Sequence, residues 1–528
     1  MHARRTHRRP AAALACAALL AACASGPAEE KERPIDVHLV PQPVSVTADG
    51  EPFVLDDSTQ VSAAGDAVPV AVYLAESLRP STGLPLPVSA EPATSGAISL
   101  RLGGDADLGA EGYQLDVTAE GVDLLAHEPA GLFRAVQTLR QLLPATVESD
   151  TAQPGPWEVP GVSVADRPRF AWRGAMLDVA RHFFSVEEVK RFIDLAALYK
   201  VNVVHLHLTD DQGWRIAVES WPELTGIGAS TEVGGGRGGF YPKADYIDIV
   251  EYAATRYITV VPEIDVPGHT NAALASYPEL NCDDRAPEPF AGTRVGFSAL
   301  CLDKPVSYEF LEDVFGELAA MTPGQFLHVG GDEARTIADE EYAAFAVRIQ
   351  KIVAATGKSA VGWQELATGA LEPGSVVQYW NTDEGPAQVV EAVRQGAQVL
   401  LSPADRTYLD MKYDAQTPLG YDWAGYVDVR DAYDWDPATL IDGVTEADVV
   451  GVEAPLWTET LADIDDVEFM TIPRLSAIAE VAWSPTDRRE WEDFRLRLAA
   501  QAPRWEAMAV GFHRSPQIPW PPTVQMQP

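Results

Sequence analysis

Basic residues are scarce in this chain. Its 528 residues hold 39 Lys and Arg against 78 Asp and Glu, a formal net charge of −39. That balance argues against nucleic acid and against docking on an anionic membrane, because both need a basic face. Cysteine is scarcer still, with four in all. Cys16 and Cys23 fall near the N-terminus, and Cys282 and Cys301 have no histidine between them, a poor ligand set for a metal. Several chemical signatures are missing: there is no HExxH, no GxSxG elbow and no His/Cys cluster at ligand spacing. No phosphate-binding glycine fingerprint follows the first strand-like run, and "GGGRGG" at 234–239 opens no convincing βα unit, so it reads as a loop. Metal, serine-nucleophile and nucleotide chemistry therefore lack support, and no cofactor is expected.

Long hydrophobic runs are also lacking. "AAALACAALLAAC", ending at Cys23, is about 13 residues, too short to span a bilayer as a stable helix. It follows Arg4, Arg5, Arg8 and Arg9, the charged-then-apolar order of a signal peptide. "LAAC" at 20–23 resembles the bacterial lipobox, in which the cysteine is lipidated; an ordinary cleaved signal is the alternative. The expectation is a signal over 1–22, a lipidated Cys23 and a polar tether over 23–34. The location is then the outer face of the cell membrane, or otherwise the medium. Loss of residues 1–22 removes four arginines and no acid, taking the charge from −39 to −43. Export implies an oxidising compartment, so the remaining pair predicts a Cys282–Cys301 disulfide closing a Pro/Gly-rich loop.

Hydrophobic residues make up 46% of the chain, enough for a sizeable core, and the length suggests two domains. Over 35–165, "ISLRLG" and "GYQLDVTAEGVDLLAH" alternate apolar and polar, with a hairpin turn placed at Gly121. "AGLFRAVQTLRQLLP" has helical apolar spacing up to Pro144. This predicts a small α+β domain, with "TVESDTAQPGPWEVPGVSVADRPRF" as a linker. From 166 to 528 short apolar runs alternate with amphipathic helices. The runs are "WRGAMLDV", "NVVHLHL", "ITVVPEI", "FLHVGG", "AVGW", "VVQYW", "QVLLS" and "GVEAPLW". Eight such units predict a closed (β/α)8 barrel with a C-terminal helical extension; an open doubly wound sheet is the alternative.

Strand after strand ends in polar or aromatic residues. Asp178 and Arg181 follow the first, Asp210 and Asp211 the second, and Glu263, Asp265 and His269 the third. Asp332 and Glu333 follow the fourth. Trp363, Trp380, the pair Tyr408 and Asp410, and the pair Trp457 and Glu459 close the remaining four. One such acid is ordinarily a helix cap, but eight strand ends of a barrel share one face, where active sites lie. Tryptophans stack on sugar rings while carboxylates and Arg173 hydrogen-bond hydroxyls, so the ligand class is a sugar. Glycoside hydrolysis uses two carboxylates, but Asp332 and Glu333 are adjacent and do not naturally flank a scissile bond, so a conventional nucleophile is missing.

"HVGGDE" resembles the signature of glycoside hydrolase family 20, the β-N-acetylhexosaminidases. "WRGAMLDVARHF", "HLHLTDDQGWRI", "VVPEIDVPGHTNAALASYPELNC", "SPADRTYLDMKY" and "VEAPLWTET" resemble that family's other blocks, in order, over roughly residues 35–520. The resemblance implies exo-acting, retaining removal of terminal β-linked GlcNAc or GalNAc from chito-oligosaccharides and related glycans. The nucleophile is then the substrate's own acetamido oxygen. Carried over residue by residue, Glu333 is the general acid, with a raised pKa, and Asp332 holds the acetamido N–H. Tyr408 aims the acetamido oxygen, and Asp210, or its neighbour Asp211, pairs with His269 to tune Glu333. Arg173, Asp410 and Glu459 bind hydroxyls, and Trp363, Trp380 and Trp457 wall the pocket. A lipid-anchored sugar-binding protein is the competing class; an intact acid at the scissile bond speaks against it.

Overall fold

The computed structural model describes residues 37–48, 50–91 and 95–522. The signal segment, Cys23 and the tether lie outside the described residues. The eight runs read from the sequence are eight parallel strands. They are β1 (Trp172–Asp178), β2 (Val203–His207), β3 (Thr259–Glu263), β4 (Phe326–His328), β5 (Ser359–Trp363), β6 (Val376–Tyr379), β7 (Gln398–Leu401) and β8 (Val449–Leu456). β8 pairs with β1 in parallel from Gly451 opposite Trp172 to Leu456 opposite Leu177, which closes the barrel and excludes the open sheet. Helices such as Val186–Leu198, Pro305–Met321 and Asp339–Ala355 alternate with the strands. The first starts at a capping box: Ser185 Oγ accepts from the Glu188 N–H, and the Glu188 carboxylate accepts from the Ser185 N–H. No helix among the described residues is long and apolar enough to cross a membrane.

Inside the barrel the layers differ sharply. Trp172, Val203, Val261, Val361, Val376 and Leu400 form an apolar plug. Alongside it lie buried His205, His328, Gln378 and Glu453, and then Glu263, His207 and Trp363. The polar side chains are tolerated there only because each is hydrogen-bonded.

The preceding domain is a mixed seven-stranded sheet of order 45–47, 163–166, 113–118, 121–126, 97–102, 60–63, 88–89. Its hairpin turns at Ala119 and Glu120, and Gly121 instead begins the second strand; a Cβ there would lie 2.5 Å from the Ala97 carbonyl oxygen. The stretch expected to be a linker contributes two strands. Trp157–Val159 pairs with Phe53–Leu55, and Ser163–Asp166 pairs with both Ser45–Thr47 and Tyr113–Asp116. Their inward–outward alternation is only three or four residues long, and the surrounding Pro and Gly obscure it. Helix Pro129–Leu142 buries 11 of its 14 residues because it is covered on two sides. The sheet lies on one side. On the other, Arg134 donates to the Tyr257 carbonyl at 2.8 Å, and Arg504 of the C-terminal helix Ala502–Ala507 donates to the Gln141 and Leu143 carbonyls.

Candidate active site

The two glycines after β4 explain how adjacent carboxylates come to share one cavity. Gly330 has φ +64°, and a Cβ on it would sit 1.8 Å from Asp265 Oδ1. Only glycine lets the backbone pass so close, and the Gly331 N–H then donates to that same Asp265 oxygen at 3.0 Å. Gly331 (φ +109°) turns the chain further, and Glu333 itself is left-handed at φ +48°. A non-glycine residue held there is strained, a common mark of a working site. As a result Asp332 Oδ2 and Glu333 Oε2 converge on one nitrogen, His269 Nε2, at 3.6 and 3.5 Å.

His269 heads a buried chain of alternating imidazoles and carboxylates. Its Nδ1 donates to Asp210 Oδ1 at 3.2 Å, and His207 Nε2 donates to Asp210 Oδ2 at 3.0 Å. His207 Nδ1 lies 2.5 Å from Glu263 Oε2. Next, His205 Nε2 lies 3.0 Å from the same oxygen, and its Nδ1 is 2.9 Å from Glu453 Oε1. The choice left open between two aspartates is decided here. Asp210 faces His269, while Asp211 accepts from the Asn271 N–H at 2.9 Å and from Ser298 Oγ. Ser298 belongs to the loop closed by the disulfide, which forms between Cys282 and Cys301 as expected. Some of these groups, such as His205, Glu263 and His328, bring their nitrogen and oxygen atoms within 4.8 Å of one another, a spacing that could hold a cation. His205 and His207 place both ring nitrogens against carboxylates, so they act as hydrogen-bond donors rather than lone-pair ligands.

Charge explains the titration of the chain. Burial pushes the His205 imidazole down, but Glu453 and Glu263 outweigh it and raise its pKa to about 9. Burial likewise opposes protonation of His207 and His269, and their carboxylate neighbours overcome it, so both lie well above the ordinary histidine value. Burial and the Asp332 charge push Asp265 well above the usual carboxylate range. Burial also raises Asp332, with His269 opposing and Glu333 assisting. Glu333 departs from expectation. Burial favours its protonated form, but the His269 hydrogen bond and charge, with Arg335, hold its pKa below the usual glutamate value.

Aromatic side chains cluster beside these carboxylates. Trp363 is fixed from below by its Nε1–H, which donates to Glu263 Oε1 at 3.0 Å, and its ring lies 5.8 Å from that of Trp457. Trp380 runs parallel to Tyr408 at 6.5 Å and donates its Nε1–H to Glu365 at 3.1 Å. Buried Asp410 has an Oδ1 without a hydrogen-bond partner, and burial together with Glu459 pushes its carboxyl well above the usual range.

One expected ligand residue is elsewhere. Arg173 lies at the N-terminal end of β1, and β1 runs away from it toward the carboxylates. There it donates to the Lys200 and Phe170 carbonyls at 2.9 Å each, pairs with Glu111 and stacks on Trp483. The guanidinium among the site carboxylates belongs to Arg181, eight residues after Arg173 and in the loop that follows β1. It pairs with Asp210 Oδ2 at 2.8 Å and Asp178 Oδ2 at 3.3 Å, over the Trp457 ring. Both arginines flank one strand, and strand direction separates them by function.

The family comparison agrees with this geometry. The chain matches the sequence profile of "Glycosyl hydrolase family 20, catalytic domain" over residues 170–344 and 336–486, and that of "Glycosyl hydrolase family 20, domain 2" over 36–167. The chain belongs to glycoside hydrolase family 20. As a family 20 member it is a glycoside hydrolase. It is 48% identical over 490 residues to a beta-N-acetylhexosaminidase of Cellulomonas fimi, covering 92% of this chain and 98% of that one. Among solved structures, the family 20 beta-N-acetylhexosaminidase of Streptomyces coelicolor A3(2) superposes with a TM-score of 0.90 at 56% identity, covering 92% and 99% of the two chains. A beta-hexosaminidase mutant of Streptomyces plicatus, in complex with product (GlcNAc), superposes with a TM-score of 0.90 at 55% identity, covering 93% and 99%.

Two residues of this family 20 site, Trp423 and Arg335, carry no sequence signal of a role, and a third, Glu365 in "GWQEL", is given none by the family resemblance. Trp423 is half exposed at the rim, edge-on to Tyr408 at 5.8 Å and to Trp380 at 6.1 Å. Glu365 is pushed up to about 8 by burial and the Asp332 charge. Arg335 pairs with Glu333. Trp423 and Arg335 lie off the barrel strands, where periodicity says nothing.

Proposed function

We propose that the protein is an exo-acting, retaining β-N-acetylhexosaminidase that removes terminal β-linked GlcNAc, and GalNAc, by substrate-assisted catalysis. The observation that carries the reading is the convergence of Asp332 and Glu333 on one side of the cavity, at a single His269 nitrogen. Two carboxylates that issue from consecutive residues toward one imidazole do not stand on opposite faces of a sugar, as an acid and a protein nucleophile must. The 2-acetamido oxygen fills the missing role. It attacks the anomeric carbon as Glu333 gives its proton to the glycosidic oxygen and the leaving sugar departs. Asp332 accepts the acetamido N–H and offsets the positive charge that develops on the oxazolinium ring. Tyr408 donates to the acetamido oxygen, and Trp363, Trp380 and Trp457 pack about the acetamido group and the ring. Water then adds at the anomeric carbon, Glu333 takes its proton, and the configuration is retained. Arg181, Asp410 and Glu459 hold the outer hydroxyls and close that end, which supports exo action. The names of the three relatives given above, all hexosaminidases, support the same substrate.

The test compares p-nitrophenyl N-acetyl-β-glucosaminide with p-nitrophenyl β-glucoside. Fast cleavage of the first and none of the second is expected, because the acetamido group is the nucleophile. Comparable cleavage of both means the protein supplies its own nucleophile, and the mechanism is wrong. Export with lipid attachment at Cys23 is part of the same proposal and rests on the N-terminal sequence. A Cys23→Ser variant that still takes up labelled palmitate overturns it.

A further inference from the structure

Beside Glu333 the cavity continues into an open groove of about 530 Å³, lined by Arg335, Ile337, Asp339, Trp380, Asn381 and Glu384 among others. On the reading above, in which Arg181, Asp410 and Glu459 close the opposite end, the leaving half of the substrate enters this groove. Arg335 stands in its wall and pairs with Glu333 Oε1. Its stem is backed by the disulfide-closed loop: a Cβ on Gly296 would lie 2.8 Å from Arg335 Cδ and 3.2 Å from the Glu333 carbonyl. Its head is open to solvent, with 63% of the side chain exposed.

We propose that Arg335 is a specificity-determining residue that couples leaving-group binding to the acid. While the groove is empty its guanidinium holds the Glu333 carboxylate; a leaving sugar seated there takes the guanidinium's hydrogen bonds with its hydroxyls and releases Glu333 to carry a proton. The proposal rests on the acid role given to Glu333 above. It also accounts for an acid whose pKa is low without substrate. The charged groups facing Glu333 are His269 from the loop after β3, Arg181 from the loop after β1, Asp332 beside it and Arg335. Glu365 stands in the same groove wall.

The experiment measures pH profiles of Arg335→Gln and wild type on chitobiose and on p-nitrophenyl N-acetyl-β-glucosaminide, whose flat leaving group has no sugar hydroxyls. Arg335 favours the ionised acid, so its removal raises the Glu333 pKa and moves the alkaline limb of kcat/KM to higher pH. The expected shift is about half a pH unit, the scale of an exposed pair. The same profiles in Glu365→Gln keep that residue's limb from being mistaken for that of Glu333. At its optimum the variant loses about three- to tenfold on chitobiose, the size of a lost charged hydrogen bond that is partly exposed, and little on the aryl glycoside. An unmoved limb overturns the pairing. A moved limb with equal losses on both substrates overturns the coupling to the leaving group. Wild type inactive on both substrates refutes the hexosaminidase reading itself, whereas active wild type with an unmoved limb refutes the Arg335 role alone.

Discussion

At the N-terminal end of the barrel, Arg173 donates to two backbone carbonyls and pairs with Glu111, which also accepts from Arg134 at 2.8 Å and from Asn202 at 2.8 Å. Nearby, Lys200 reaches Asp166 and the Tyr113 hydroxyl at 2.9 Å each, and Trp483 donates to the same Asp166. At the C-terminal end Asp332 Oδ1, Asp410 Oδ1, Asp265 Oδ2 and Arg181 Nε have no hydrogen-bond partner, three of them acidic oxygens, whereas the unpaired atom of the N-terminal cluster is a guanidinium nitrogen, Arg134 Nη1. Both ends bury ions among oppositely charged neighbours. One end joins the two domains; the other keeps polar atoms aimed at a cavity. Buried charge alone does not mark a site. Several unpaired acidic oxygens gathered at one end of the strands do.

Mutations at the two ends should have different consequences. The largest expected effect is at Glu333. Glu333→Gln lowers kcat on chitobiose by about 10²–10⁴, the worth of a positioned general acid, and a fall under tenfold sinks the assignment. Glu263→Gln comes next and crosses the divide. Glu263 is the anion between His205 and His207, so its loss costs about 3–5 kcal/mol of stability, read from the urea midpoint, and lowers kcat as well. Unchanged activity in a folded variant would cut the chain's link to Glu333. Asp332→Asn costs about 2–4 kcal/mol of transition-state stabilisation, measured as kcat/KM on p-nitrophenyl N-acetyl-β-glucosaminide. Arg173→Met separates the two ends most cleanly. It costs about 1–3 kcal/mol of stability, since Glu111 loses one of its partners, and leaves kcat/KM within about twofold. A tenfold loss of kcat/KM would return Arg173 to the substrate.

The smallest effect is in pH. Burial disfavours the Glu111 anion, but Arg173 and Arg134 prevail and lower its pKa from 4.5 to about 2. A lowered acid contributes stability that is complete above about pH 4.5 and is lost as pH falls toward 2. His205 has the opposite sign: raised from 6.5 to about 9, it contributes stability that is complete below pH 6.5 and is lost as pH rises toward 9. Urea midpoints across pH should therefore show Glu111→Gln flattening the acid side and His205→Gln the alkaline side. The reverse pattern would mean the two ends had been misread.

Much of this was legible along the chain. All eight barrel strands, the capping box at Ser185 and the Cys282–Cys301 pair follow from periodicity, local hydrogen bonding and composition, which act over a few residues. Two short strands hidden among Pro and Gly were not legible, because the strands they pair with lie far off along the chain. Arg335 lay in plain view beside the carboxylates, yet nothing in "GGDEAR" tells that its side chain turns back to Glu333.

The barrel, its sugar-binding face and the adjacent pair Asp332 and Glu333 follow from local residue order, in which strand ends and glycine turns are written. Folding sets which arginine of β1 and its loop meets Asp210, which of two neighbouring aspartates meets His269, and that His269 and Arg335 hold the Glu333 carboxyl below the usual glutamate value. Those outcomes depend on distances between strands far apart in the chain, and on charges whose effect grows only when folding removes them from water.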